Sequence, residues 1–370
     1  MHILFAGGGT AGHINPALSV AEYIKLQNPN AKISYIGARG KLEETLVPQN
    51  GYDFYPISVA GFQRKLTPKN IAKNCDAAIK AVTSSIEARK LLKELKPDIV
   101  MGTGGYVSGP VVRQAYKMGI KTCIHEQNAF PGVTTKMLAE NVDAVMLAME
   151  GAKKYLNLKA EPYITGNPVR PELMGVSKQE ARKRLNLGDK PLLLSFGGSL
   201  GARPINEAVS GLIRHYANED KFYHIHATGR IGSRAFCDSL KDITIPKNVF
   251  IREYIDDMDI CLAAADLVIC RAGAITLSEL QVCGKPAILI PSPYVAENHQ
   301  YHNAKALSDS GAAIIIEEKD LTTEGLINTV GELLFNNEKL TEMAQNAKNY
   351  GVDDANKRIY DIIMNLYSGG

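Results

Sequence analysis

The sequence predicts an α/β protein of two Rossmann-like, doubly wound domains with a cleft between them. Three observations predict it. Short β-branched runs alternate with longer amphipathic stretches throughout the chain, the pattern of repeated βαβ units and parallel sheets. At 370 residues the chain exceeds one typical core and suits two. Both halves also open alike, with HILFAGGGTAGH at the amino terminus and LLLSFGGSLGA in the second half, each a strand, a glycine turn and a helix.

The elements follow in order. HILFA is the first strand, a helix pattern starts at Ile14, and KISYIG is the next strand. Thr67 is placed as an N-cap with Pro68 at the first helical position of a long lysine-bearing helix. DIVMG, KTCIHE and AVMLA complete the strands of a first domain over residues 1–165. GNPVRPELMG, residues 166–175, combines two prolines with two glycines and reads as the linker. PLLLSFG, NVFIR, LVICR, PAILIP and AAIIIE supply the strands of a second domain over 176–352. The stretch 353–367 is helical in pattern and is expected to pack back on the first domain.

Composition narrows the class. Hydrophobic content of 45% with 22% charged residues is that of an ordered globular chain. Cys75, Cys123, Cys237, Cys261, Cys270 and Cys283 contain no C-x-x-C pair, so they read as reduced thiols of a cytosolic protein, with neither a zinc site nor a disulfide framework. The amino terminus lacks the basic start and long apolar run of a secretory signal. The apolar window Ile260–Cys270 is too short for a bilayer and is interrupted by Asp266, so no transmembrane helix is expected. A net charge of +3 gives no reason to expect a nucleic-acid partner. Basic residues nevertheless outnumber acidic ones between Ala60 and Lys96, and Lys69, Lys73 and Lys80 form either a solvated helix face or a patch for anionic lipid.

Several motifs carry chemistry. Gly7, Gly9 and Gly12 satisfy G-x-G-x-x-G directly after a strand, where backbone amides approach a ligand phosphate at a helix start. The end of the second strand offers Gly37, Ala38 and Arg39 in place of the acid that would hold a nicotinamide cofactor's ribose, which disfavours NAD and leaves NADP open through Arg39. His13 follows the last glycine, and the helix dipole there favours a neutral imidazole able to accept a proton; a capping or packing role stands at even odds with that one. GTGGYVSGP, residues 102–110, gives a second anion-facing loop or a tight β-α turn. HEQN, residues 125–128, lies at a strand's carboxyl end, where open α/β sheets place ligands, and reads as functional more than structural. In the second half, GGSLGA presents Ser199 and backbone amides suited to a diphosphate at a helix start. RAGAITLSEL places Glu279 on a helix after a strand, where a carboxylate can accept both ribose hydroxyls. ENHQYHN offers amides to a sugar or forms an ordinary surface loop.

Taken together, GGGTAGH, GTGGYVSGP, HEQN, GNPVR, GGSLGA, YIDDM, RAGAITLSE and ENHQYHNA resemble, in that order and from end to end, the MurG family of bacterial glycosyltransferases. The resemblance implies a GT-B fold and inverting transfer of N-acetylglucosamine from UDP-N-acetylglucosamine to the 4-hydroxyl of the N-acetylmuramyl unit of an undecaprenyl-pyrophosphoryl pentapeptide, converting lipid I to lipid II at the cytoplasmic face of the membrane. It implies donor contacts at Thr10, Ala11, Gly12, Asn128, Arg170, Ser199, Ile255, Ala274, Ile275, Thr276, Leu277, Ser278, Glu279 and Gln300. Ile255 would meet uracil through its backbone, Glu279 the ribose and Gln300 the sugar. Gly104, Gly105 and Tyr106 would meet the acceptor diphosphate.

Inversion is a single displacement needing one base, for which His13 is the candidate and Glu126 the rival or an orienting partner. Loop amides, Ser199 and Arg170 or Arg271 would meet the leaving diphosphate, with neither metal nor organic cofactor expected. Two departures from the family pattern stand out. Ala11 replaces a frequent glycine, which would cost energy if that position needs a positive φ, and His299 stands where a glutamine often precedes Gln300. Other GT-B enzymes, an NADP-dependent oxidoreductase and a non-catalytic sugar-nucleotide sensor remain as competing readings.

Overall fold

The computed structural model describes residues 1–60 and 68–369, and for 68–79 and 81 the helical backbone alone. The Thr67 cap and the side chains of Lys69 and Lys73 therefore lie outside the described residues. The chain divides into two compact units, Met1–Val169 with Asp354–Gly370, and Arg170–Asp353.

In the first unit, β1 (His2–Gly7), β2 (Lys32–Ala38), β3 (Asp53–Ile57), β4 (Ile99–Gly104), β5 (Lys121–Glu126), β6 (Ala144–Leu147) and β7 (Tyr163–Ile164) form a parallel sheet in the order β3-β2-β1-β4-β5-β6-β7. The connecting helices are α1 (Ala11–Gln27), α2 (Glu43–Gln49), α3 (Pro68–Leu95), α4 (Gly105–Lys117) and α5 (Val133–Leu138). Alternate residues of β1 serve opposite faces. Ile3 and Phe5 pack with Ala17, Val20 and Ile24 of α1, whereas Leu4 and Ala6 pack with Leu92 of α3 and Val111 and Val112 of α4. A strand covered on both sides is mostly apolar along its length, which is why ILFA reads as a continuous hydrophobic run.

The second unit holds β8 (Leu192–Phe196), β9 (Tyr223–Ala227), β10 (Val249–Arg252), β11 (Leu267–Cys270), β12 (Ala287–Leu289) and β13 (Ala313–Ile315), parallel in the order β10-β9-β8-β11-β12-β13. Its helices are α6 (Lys178–Arg184), α7 (Arg203–His215), α8 (Ser233–Ser239), α9 (Met258–Ala264), α10 (Ala274–Val282), α11 (His299–Asp309), α12 (Thr323–Leu334) and α13 (Asn337–Asn349). The last helix, α14 (Ala355–Tyr367), belongs to the first unit, where Ile359, Ile362 and Ile363 join the core beside β1 and α1.

The units divide between Val169 and Arg170, inside the predicted 166–175 linker. That segment is tied down on both sides of the division. Asn167 donates to the Gln127 carbonyl at 3.1 Å in the first unit, and Leu173 is buried in the second.

Strand order reverses between β1 and β4 in the first unit and between β8 and β11 in the second. In open parallel sheets the loops at the carboxyl ends of those strands splay apart and leave a crevice for ligand. The glycine clusters after β1 and β4, and the loops after β8 and β11, lie at these two positions.

Candidate active site

His13 is the third residue of α1 and is half-buried. Its Nδ1 lies 3.1 Å from the Gly8 carbonyl oxygen and 3.3 Å from Thr10 Oγ1. A carbonyl only accepts, so Nδ1 carries the hydrogen and Nε2 is left as the basic nitrogen. Burial lowers the His13 pKa below the ordinary histidine value, opposed by the Gly8 carbonyl and by the carboxylates of Glu126 and Glu43. A neutral imidazole was the expectation from the helix dipole; the lowering here comes from burial.

The glycine cluster at 104–105 comes up against this ring. A Cβ on Gly104 would lie 2.7 Å from His13 Cδ2 and 3.0 Å from Nε2, and one on Gly105 would lie 2.3 Å from the Gly8 oxygen. Both residues also have positive φ, +103° and +78°, a conformation that glycine adopts without the Cβ penalty. These glycines are needed for close approach as well as for a turn. Tyr106, next in the chain, is 61% exposed.

The first loop differs from the expectation in two ways. Ala11 is the first residue of α1 and the left-handed positions fall on Gly8 and Gly9, so alanine at 11 carries no φ penalty. The Gly9 amide is also already engaged. The carboxylate of Glu43, fully buried at the start of α2, accepts from Gly9 N–H (3.1 and 3.2 Å) and from Ala38 N–H (2.9 Å). A dinucleotide pyrophosphate would need that Gly9 amide, so the NADP reading loses its footing here. Sequence reasoning missed Glu43 because it looked for the acid at the strand end, five residues earlier.

HEQN is more structural than its composition suggested. His125 is buried, with Nε2 donating to the Gly166 carbonyl at 2.9 Å and Nδ1 3.1 Å from Gln127 Nε2, and burial lowers its pKa. Gln127 Nε2 also reaches the Thr103 carbonyl at 3.1 Å. The Glu126 carboxylate is 4% exposed as a residue and accepts from the Asn128 backbone and side-chain amides, the Gly132 amide and the Thr135 hydroxyl, at 2.5–3.1 Å. So many donors leave it suited to orienting Asn128, which is half-buried, rather than to taking a proton.

In the second unit Ser199 is exposed in a turn closed by Gly201 N–H to the Gly198 carbonyl (2.9 Å). α7 starts only at Arg203, so Ser199 precedes the helix rather than opening it. A Cβ on Gly229 would meet Gly201 N at 2.0 Å, so the two loops are braced backbone to backbone.

The first turn of α10, Ala274–Thr276, follows β11 directly and contains no acidic residue. Ala274 is buried, Ile275 and Thr276 are half-buried, and Leu277 is fully buried with its amide donated to the Gly273 carbonyl at 3.0 Å; Ser278 is buried as well. Further along α10, Glu279 pairs with Arg170 at 3.3 Å, and burial raises the Glu279 pKa against the lowering influence of that guanidinium. Arg271 is committed elsewhere, bonded to Glu318 and to the Ile290 carbonyl, which removes it as a leaving-group cation. Ile255 is 3% exposed, in a loop spanned by the Arg252–Asp257 pair at 2.6 Å. Gln300 accepts from Ser292 N–H at 2.8 Å, after a loop in which Glu297 and Asn298 both hold left-handed backbone (φ +52° and +51°). His299 is half-buried at the start of α11.

Lys80 is half-buried on α3, close in sequence to the exposed apolar side chains Val82 and Ile86. Among the described residues no helix is long and apolar enough to cross a membrane, and no three His, Cys, Asp or Glu side chains gather in a metal-ligating group.

Comparison with known proteins gives consistent matches. Residues 3–147 match the glycosyltransferase family 28 N-terminal domain and residues 192–359 the C-terminal domain of the same family. The chain is 46% identical, over 99% of its length and 98% of the relative's, to the UDP-N-acetylglucosamine–N-acetylmuramyl-(pentapeptide) pyrophosphoryl-undecaprenol N-acetylglucosamine transferase of Acetivibrio thermocellus. It is 43% identical to the protein of the same name from Ruminiclostridium cellulolyticum, over 99% and 100% of the two lengths. A crystal structure of Acinetobacter baumannii MurG superposes with a TM-score of 0.78 at 31% identity, covering 98% of this chain and 99% of that one.

Proposed function

The chain belongs to glycosyltransferase family 28, and we propose that His13 is the base of its transfer reaction. The protein is a UDP-N-acetylglucosamine-dependent glycosyltransferase of GT-B fold. It transfers N-acetylglucosamine to the lipid-linked N-acetylmuramyl-pentapeptide, lipid I, giving lipid II for peptidoglycan synthesis. What carries this assignment is that the 46% identity runs through both units rather than through one nucleotide-binding half.

In the proposed mechanism the acceptor 4-hydroxyl oxygen attacks the anomeric carbon of N-acetylglucosamine. As that C–O bond forms, the bond to the β-phosphate oxygen breaks with inversion, and UDP leaves with the electron pair. The hydroxyl proton goes to His13 Nε2, the nitrogen that the Gly8 carbonyl leaves basic. The leaving diphosphate is met by the Ser199 loop, the first turn of α10 and Arg170, in place of a metal or organic cofactor. Glu279 takes the ribose hydroxyls, Gln300 the sugar and the Ile255 backbone the uracil. Thr10, Ala11, Gly12 and Asn128 complete the donor contacts, Asn128 being set by Glu126. Gly104, Gly105 and Tyr106 receive the acceptor diphosphate.

The enzyme is further proposed to work peripherally on the cytoplasmic membrane face, with Lys69, Lys73 and Lys80 drawn to anionic lipid and Val82 and Ile86 of α3 adding exposed apolar surface.

Labelled N-acetylglucosamine offered with the lipid-linked muropeptide and with unrelated glycolipid and secondary-metabolite acceptors tests the reaction. Transfer to the muropeptide is expected, and its absence alongside transfer to another acceptor overturns the assignment; donor binding without any transfer would indicate a sensor. The same assay in EDTA tests metal independence, which loss of turnover would contradict. Binding to anionic vesicles, weakened by lysine-to-glutamate changes at 69, 73 and 80 and by salt, tests the membrane surface. Unchanged binding rejects it.

A further inference from the structure

Glu43 is a buried acidic residue that the reaction as described does not use. Its carboxylate is fully buried, is met by the Gly9 and Ala38 amides and, among the described residues, is paired with no cation. The surrounding glycines accommodate it: a Cβ on Gly8 would lie 2.0 Å from Glu43 Oε1, and one on Gly37 would lie 2.6 Å from its Cγ.

The Gly9 N–H and the Gly8 C=O are the two ends of one peptide group. The N–H end donates to Glu43, and the C=O end accepts from His13 Nδ1 at 3.1 Å. Donation to a carboxylate polarises the peptide and makes its oxygen a better acceptor. That holds the hydrogen on Nδ1 and steadies the positive charge that appears when Nε2 takes a proton. Without Glu43 the loop amide would be free to turn, and with it the carbonyl that fixes the imidazole.

We propose that Glu43 is a positioning residue of the transfer reaction, acting through the Gly8–Gly9 peptide group to hold His13 with Nδ1 protonated and Nε2 open towards the acceptor. The proposal rests on the reading of His13 as the base. It also assigns the first glycine loop a different task from phosphate binding: the loop's anion is internal.

Among the described residues, the charged groups that act on His13 are Glu126 from β5 and Glu43 from α2, both favouring the protonated ring. Removing the Glu43 charge therefore moves the acid limb of the kcat/KM profile to lower pH. Glu43→Gln is expected to lower kcat by about tenfold or more, short of the ~10²–10⁴-fold that loss of a general base costs, with donor KM within about twofold. Glu43→Asp, which keeps the charge, is expected to recover part of the loss with the pH limb near its original position. Nitrogen-15 NMR of His13 in the unmodified full chain, assigned with His13→Ala, is expected to show hydrogen on Nδ1 and a bare Nε2. The opposite tautomer overturns the proposal whether or not the variants fold. Wild-type kcat and pH profile in Glu43→Gln, with His13→Ala inactive, overturn it while sparing the base; wild-type turnover in His13→Ala overturns the base reading itself.

Discussion

Gly104→Ala probes the site by geometry alone, since it adds one methyl group and changes no charge. The new Cβ would stand 2.7 Å from His13 Cδ2 and 3.0 Å from Nε2. Carbon atoms in ordinary contact sit about 3.5–4.0 Å apart, so the ring must give way by roughly 1 Å. A misplacement of about 1 Å of a reacting group costs on the order of 100-fold in rate, or about 2.7 kcal/mol of barrier. Gly104 holds a backbone conformation (φ +103°, ψ −177°) essentially confined to glycine, so adding a Cβ separately costs about 1–3 kcal/mol of stability, which a thermal melt reads independently. Initial rates with saturating donor and lipid-linked acceptor should therefore fall about 100-fold. UDP affinity by calorimetry should change far less than the rate, because the loops proposed to hold the diphosphate belong to the second unit and Gly104 to the first. Wild-type kcat in a folded Gly104→Ala protein would refute the placement of His13 Nε2 at the reacting position.

Two further outcomes follow from groups on the second unit. Burial holds the His224 pKa at about 3 against an ordinary 6.5, and it lowers His226 as well. The unfolded chain therefore binds protons first, so this stability is complete above pH 6.5 and is lost as pH falls from there towards about 3. His224 alone should cost about 1.4 kcal/mol between roughly pH 7.5 and 5.5, with His226 adding loss in the same direction. Urea unfolding followed by far-UV circular dichroism should show that drop, and a midpoint flat over the interval contradicts it. At the proposed ribose contact, Glu279→Gln should raise donor KM by roughly 10- to 100-fold, the ~1.5–3 kcal/mol of a hydrogen bond to a charged group, with a smaller change in kcat. Steady-state kinetics decide between that and a loss confined to kcat.

β6, β11 and β12 were the plainest strands in the sequence, because every position of each is apolar and buried. β9 escaped notice because His224 and His226 occupy one face of it and bond to Ser195 of β8 at 2.8 and 2.7 Å, so its inward positions look polar. β3 contains Pro56, which a central strand does not tolerate; it lies at the sheet edge, where the missing donor costs nothing. β7 spans only Tyr163–Ile164, too short for any period.

The site was legible where glycine spacing encodes it, and less so where a polar residue's partner lies far along the chain. His13 and Gly104 were each visible alone, yet their contact joins β4 to α1 and has no local signature. His125, Glu126 and Arg271 are the converse, polar residues at strand ends whose side chains are taken up by Gly166, the 128–135 segment and Glu318. Glu43 has the strongest bearing on His13 of any residue the motifs left out, because a buried carboxylate next to a glycine loop is written in no spacing rule.

The central claim is that His13 Nε2 receives the acceptor's proton during N-acetylglucosamine transfer. The most direct measurement is single-turnover lipid II formation by wild type and His13→Ala, with UDP affinity measured on the same preparations. Unchanged UDP affinity with transfer slowed by ~10²–10⁴-fold is the result expected, and transfer at the wild-type rate by His13→Ala would contradict it.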